Sequence, residues 1–212
     1  MLKMTCINWV LDRNKFLSQR EAKRLLKKAR GMAETAILYG HKIPVRDYFI
    51  IHIALATGLR VAEIAQLNCG DIYADEKSSA LIVQRGKGGK KRLVQFNSEF
   101  KCHYRQYIDW KQANNEPVGQ DDPLLRSSHT GSHMTVRALE KAFKRVAAMA
   151  GLPEHYSIHC SRHTYACQLY KASGYNLRLV QKQLGHSHSR TTEVYADVMN
   201  PDITRSLEKL YT

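Results

Sequence analysis

The sequence predicts a mainly α fold with a small antiparallel β-sheet (α+β). Three observations lead there. Apolar residues recur at helical spacing from residue 18 to the C-terminus, and each run is bounded by capping or breaking residues. β-prone runs are confined to Leu81-Ile82-Val83 and Leu93-Val94-Gln95-Phe96, on either side of a glycine-rich stretch. No linker, internal repeat or low-complexity segment divides the 212 residues, and a hydrophobic fraction of 43% is enough for one core.

The elements follow in order. Residues 1–16 are expected to form an N-terminal arm, and 17–212 a single domain. Ser18 and Glu21 make an S-x-x-E capping box, which opens a helix to about residue 33. Pro44 suits the first turn of a second helix, which stops at Gly58. Its run YFIIHIALATGL, residues 48–59, is too short to span a bilayer and contains His52, so a buried helix is expected. A third helix starts near Arg60 and turns Val61, Ile64, Ala65 and Leu67 inward.

The two β-prone runs form a hairpin whose tip holds R-G-K-G-G-K-K-R. Ser98 begins a helix to about residue 113. Residues 114–133, with two prolines and two glycines, read as a long surface connection. Helices are expected over 135–150, stopped by Gly151, and over 161–173, stopped by Gly174. Asn176 caps a short helix that ends at Gly185. Ser189 caps another holding Tyr195. Asn200-Pro201-Asp202 starts a last helix to Leu210, with Ile203, Leu207 and Leu210 in one stripe.

Lys and Arg outnumber Asp and Glu 33 to 19, for a net charge of +14. Such a surplus repels itself in a compact chain, so a polyanionic partner is expected. Nucleic acid ranks first, because neutralising phosphates supplies most non-specific affinity. An anionic membrane surface ranks second, and a merely solubilising basic surface third. The five cysteines, Cys6, Cys69, Cys102, Cys160 and Cys167, are scattered and odd in number. They make no disulfide framework, and a reducing, cytoplasmic compartment is expected. The N-terminus lacks the apolar core of a secretory signal.

Three clusters could carry chemistry. The first is Ala56-Thr57-Gly58-Leu59-Arg60-Val61-Ala62-Glu63, where Arg60 follows a glycine turn at a helix N-terminus that favours anions. The second is the hairpin tip, with Lys87, Lys90, Lys91 and Arg92. The third is His159, Arg162 and the later Gly185-His186, followed by Tyr195. His159, His163, Cys160 and Cys167, or His186 and His188, offer ligand atoms, but their spacing fits no closed zinc site, and no metal is expected. Cys160 and Cys167, seven apart, read more simply as core residues on one helix face.

Taken one at a time, the first cluster reads as a solvated surface arginine, the second as a basic loop that touches phosphates without chemistry, and the third has the competing metal reading. In this order the motifs A-T-G-L-R-x-x-E-I-x-x-L, G-K-G-x-K-x-R, H-x-x-R-H-T, L-G-H-S and Y together resemble the catalytic domain of the tyrosine recombinases, the phage-integrase and Xer-like family. The resemblance runs from about Leu17 to the end. It implies that family's DNA breaking-rejoining fold and assigns catalytic roles to Arg60, Lys87, His159, Arg162, His186 and Tyr195. Glu63 matches an acidic support beside the first arginine. Lys90, Lys91, Arg92 and Arg190 are expected to touch DNA. The family's separate helical DNA-clamping domain is not expected here, since fewer than twenty residues precede the Ser18 helix, and the chain reads either as a fragment or as a naturally minimal enzyme.

The implied activity is site-specific recombination of double-stranded DNA. Tyr195 attacks a scissile phosphate, leaving a 3′-phosphotyrosine and a free 5′-hydroxyl, without metal, ATP or other cofactor. Two guanidiniums can fork onto the non-bridging oxygens as charge builds there. A phenol with a reference pKa of about 10 needs a cationic surrounding or a base, which the arginines and His159 can supply. Lys87 suits the acid that protonates the leaving oxygen. The resemblance further implies a tetramer on DNA, weakly associating alone, in the cytoplasm and at the nucleoid. A type IB topoisomerase-like swivel and an inactive DNA-binding regulator are the alternatives.

Overall fold

A computed structural model describes residues 15–84 and 91–185. Seven α-helices lie among them: α1 (Gln19–Leu38), α2 (Ile43–Thr57), α3 (Val61–Ala65), α4 (Ser98–Ala113), α5 (Val136–Met149), α6 (Ile158–Ala172) and α7 (Leu177–Leu184). Three short strands, β1 (Ile72–Tyr73), β2 (Ala80–Val83) and β3 (Arg92–Gln95), form an antiparallel sheet in the order β1-β2-β3. The expected α+β class is observed. The helices expected around Tyr195 and over residues 202–210 lie outside the described residues, as do residues 85–90 of the hairpin tip.

Helix α2 is the hub because it is buried over most of its surface. Phe49, Ile50, Ile51 and Ile53 are all fully buried, and α1, α4, α5 and α6 pack around it. Each such side chain contributes about 1.5–3 kcal/mol on leaving water. The Ser18 capping box forms as expected: Glu21 N–H donates to Ser18 Oγ (3.2 Å), and Ser18 N–H donates to Glu21 Oε2 (2.8 Å). Helix α1 runs five residues past its expected end, because Ala33 and Ala36 continue its buried stripe.

The sheet pairs Leu81 with Val94 and Ile82 with Leu93, so the expected hairpin is present. Strand β1 was not expected; two residues carry too little alternation to announce a strand. The connection over residues 114–133 departs from the surface loop expected of it. Leu124 and Leu125 are fully buried, and Leu124 N–H donates to Leu67 O (2.9 Å). Helix α6 also starts three residues before its expected first residue, with Ser157 as its N-cap.

Candidate active site

The site is built from chain ends. Helix α2 stops at Gly58, which takes φ +62°. A Cβ there would lie 2.3 Å from the Tyr165 ring, so both backbone and space require glycine. The chain then turns extended at Arg60, the N-cap of α3. The anion at this helix start is the protein's own: Arg60 N–H donates to Glu63 Oε2 (2.8 Å) and Arg60 Nη1 to Glu63 Oε1 (3.0 Å). The backbone amide expected to greet a foreign anion is therefore occupied. The guanidinium remains about a third exposed.

Glu63 holds a second arginine. Arg92 Nη1 and Nη2 donate to Glu63 Oε1 and Oε2, both at 2.8 Å, a two-pronged fork. Arg92 was expected to face DNA with its neighbours in the K-K-R run. Instead it turns inward on β3, sharing a face with buried Val94. Lys91, just before the strand, is exposed. Burial alone would raise the Glu63 carboxyl. Hydrogen bonds from Arg92 and from the Arg60 backbone, together with the two positive charges, hold it instead at about 2.

Arg162, buried on α6, ties two of these chain ends together. Its Nη1 donates to Gly58 O (2.7 Å), two residues before Arg60, and its Nη2 to Leu184 O (2.9 Å) at the end of α7. The next residue, Gly185, takes φ +66° and ends α7 just before His186. His159, in the first turn of α6, is exposed, so it does not share the burial of Arg162. His163 is half-buried. Burial first, then the nearby charges of Arg162, His159 and Lys15, lower its pKa below the usual histidine value. Cys160 and Cys167 are both buried on α6, as core residues should be.

The structure thus gathers Arg60, Glu63, Arg92 and Arg162 with the ends of α2 and α7. Among the described residues, the guanidiniums of Arg60 and Arg92 share the one carboxylate of Glu63, and Arg60 stays partly open to solvent. Among the described residues, no three His, Cys, Asp or Glu side chains group as a metal site. No described helix is long and apolar enough to cross a membrane. Lys87, Lys90, His186, Arg190 and Tyr195 lie outside the described residues. The inward role of Arg92 was missed from sequence, although Arg92, Val94 and Phe96 alternate with the period of a strand.

Residues 15–200 match the family model described as the phage integrase family. Tyrosine recombinase XerC of Neisseria meningitidis serogroup C is 32% identical over 172 residues, covering 81% of this chain and 53% of the relative. XerC of Corynebacterium glutamicum is 30% identical over 200 residues, covering 94% and 60%. The chain thus spans little more than half the length of these relatives. Among solved structures, XerH site-specific recombinase in a pre-cleavage complex with its difH substrate superposes with a TM-score of 0.74 at 25% identity, over 93% of this chain and 55% of that one. XerA recombinase gives 0.69 at 24%, over 91% and 63%, a likeness of fold. With motifs, fold and family model in agreement, the chain belongs to the phage integrase family, the tyrosine recombinases.

Proposed function

We propose that this chain is the catalytic part of a site-specific DNA recombinase, with Tyr195 as nucleophile. One observation carries this: Arg162 bridges the segments leading to Arg60 and to His186, within a family of strand-transferring enzymes. A scissile phosphate held at these guanidiniums gains charge stabilisation as its non-bridging oxygens become more negative. The Tyr195 oxygen bonds to phosphorus, the bond to the 5′-oxygen breaks, and that oxygen takes a proton, which Lys87 is suited to give. His186 donates to the phosphate, and His159 accepts the tyrosine proton. The phosphotyrosyl bond conserves the energy of the broken one, so rejoining to the same or another strand needs no ATP.

Double-stranded DNA is the partner. Lys90, Lys91 and Arg190 contact its backbone, and further subunits complete a tetramer on the site while associating weakly without it. The workplace is the cytoplasm, at the nucleoid. Residues 1–16 serve as an arm ahead of the catalytic domain.

A pool of nicked duplexes of randomised sequence tests the chemistry, because the short fragment beyond the nick diffuses away after cleavage. The wild-type chain should give a denaturant-stable protein–DNA adduct in the presence of a metal chelator. Tyr195→Phe should give none. An adduct that survives in Tyr195→Phe removes this residue as nucleophile, and wild-type cleavage that leaves no adduct removes the covalent mechanism.

A further inference from the structure

We infer that Arg92 is a positioning residue: through its fork on Glu63 it sets the geometry of Arg60, and with its stem it sets where α7 ends. This inference rests on the recombinase reading for its consequence in cleavage. The coupling itself rests on contacts alone.

Four observations on described residues carry it. First, Arg92 meets Glu63 with both terminal nitrogens, whereas Arg60 meets the same carboxylate with one terminal nitrogen and its backbone N–H. A carboxylate gripped by a two-pronged fork is fixed in plane and rotation, so the atoms that Arg60 grips are fixed too. Second, burial is graded along the chain of contacts. The Glu63 side chain is 6% exposed, Arg92 13% and Arg60 32%, so the link runs from an anchored group to one facing outward. Third, the Arg92 stem lies directly under Gly185. A Cβ on Gly185 would come within 2.3 Å of Arg92 Cδ and 2.6 Å of its Nε, so backbone and stem are in close contact. Fourth, the Arg92 Nε is buried and has no hydrogen-bond partner among the described residues. A side chain placed only to satisfy itself would not leave that donor unmet. The position trades one donor for a fork on Glu63 and a close fit beneath Gly185.

Neither Lys nor Met can reproduce this. Lysine keeps the charge but offers a point donor on a flexible stem, and methionine keeps much of the stem without charge. Removing only Arg92 also leaves Glu63 buried with less compensation, whereas removing both partners leaves no orphan. The charged groups hydrogen-bonded to Glu63 are Arg60 from its own helix start and Arg92 from β3. With Arg92 gone, protonation of Glu63 therefore becomes easier and weakens the remaining hold on Arg60.

The test compares Arg92→Lys, Arg92→Met, Glu63→Gln and Arg92→Met with Glu63→Gln in the full chain, after thermal melts confirm folding. Adduct formation on the nicked-duplex pool should slow at least about tenfold in Arg92→Lys and further in Arg92→Met, while retention of the same duplexes stays within about twofold. The rate profile of Arg92→Lys should gain an acid limb at higher pH than in wild type. The double variant should lose less than the sum of the singles. NMR of the side-chain guanidinium protons reads the coupling without cleavage: the Arg60 signal should lose its protection in Arg92→Met and keep part of it in Arg92→Lys. An unchanged Arg60 signal in both variants overturns the inference. So does a loss of duplex retention that accounts for the whole rate loss, which would make Arg92 a phosphate contact. If the wild-type chain forms no adduct but the Arg60 signal still collapses, the recombinase reading fails and the positioning role stands.

Discussion

Among the described residues, two triads have two cations sharing one carboxylate, and they differ in what becomes of the extra charge. In the interior, Glu116 meets Arg46 and Lys111, whose side chains are 7% and 0% exposed. The surplus there is absorbed by protein oxygens: Lys111 donates to Pro123 O and Leu124 O, and Arg46 to Ser128 Oγ. At the rim, Glu63 meets Arg60 and Arg92, and Arg60 stays partly open to solvent. The same stoichiometry thus serves two ends. Closed in, it pins the 114–133 connection to α2 and α4. Opened at one corner, it leaves a held guanidinium facing solvent.

The largest effect should come from breaking the interior triad. Glu116→Ala leaves two buried cations without their anion, and a loss of about 3–5 kcal/mol is expected in urea unfolding. DNA retention per folded molecule should not change. A loss under about 1 kcal/mol would mean that carbonyls alone satisfy those cations.

Acid should next separate the two regions. His52 and His103 lie in the core with their Nδ1 atoms 2.8 Å apart, flanked by Tyr48. Burial lowers His52 to about 4, and burial with the His52 charge lowers His103 to about 3. Both values lie below that of a free histidine, so the unfolded chain binds more protons. Their contribution is therefore complete above pH 6.5 and is lost as pH falls toward the folded values. The slope should approach that of two protons, roughly 3 kcal/mol per pH unit, where the unfolded rings are charged and the folded ones are still neutral. The rim behaves differently. Glu63, depressed from 4.5 to about 2, contributes fully above pH 4.5 and loses its share only as pH falls through about 2. Urea midpoints that stay level from pH 7 to 5 would contradict the interior half of this contrast. His103→Leu should halve the slope.

The smallest effect sharpens the rim. Lys91→Ala should lower the dependence of log affinity on log salt by about 0.9, one phosphate's worth, on double-stranded DNA. Arg92→Met should leave that slope alone, because its charge is spent on Glu63. Equal drops in both variants would show that Arg92 faces the phosphates after all.

Much of this was legible in sequence because it is local. The Ser18–Glu21 box, the stops at Gly58, Gly151, Gly174 and Gly185, and the two β-prone runs lie where spacing and residue type indicate. Errors arose where packing overrode local character. A polar segment hid Leu124 and Leu125, which bond back to the Leu67 region. The K-K-R run looks uniformly cationic, yet Lys91 points out and Arg92 points in.

By itself the sequence determined the order of the helices, the hairpin, the basic surplus and the residue types at the family's motif positions. Local hydrogen bonds and side-chain periodicity span only a few residues, and those signals survive in one dimension. Tertiary structure alone decided which distant charges meet. Arg92 finds Glu63 across 29 positions, and Arg162 finds Gly58 across 104 and Leu184 across 22. Such partners are chosen when the core closes, since burying apolar area offsets the chain entropy of bringing them together. The hold on Arg60 is a product of that closure.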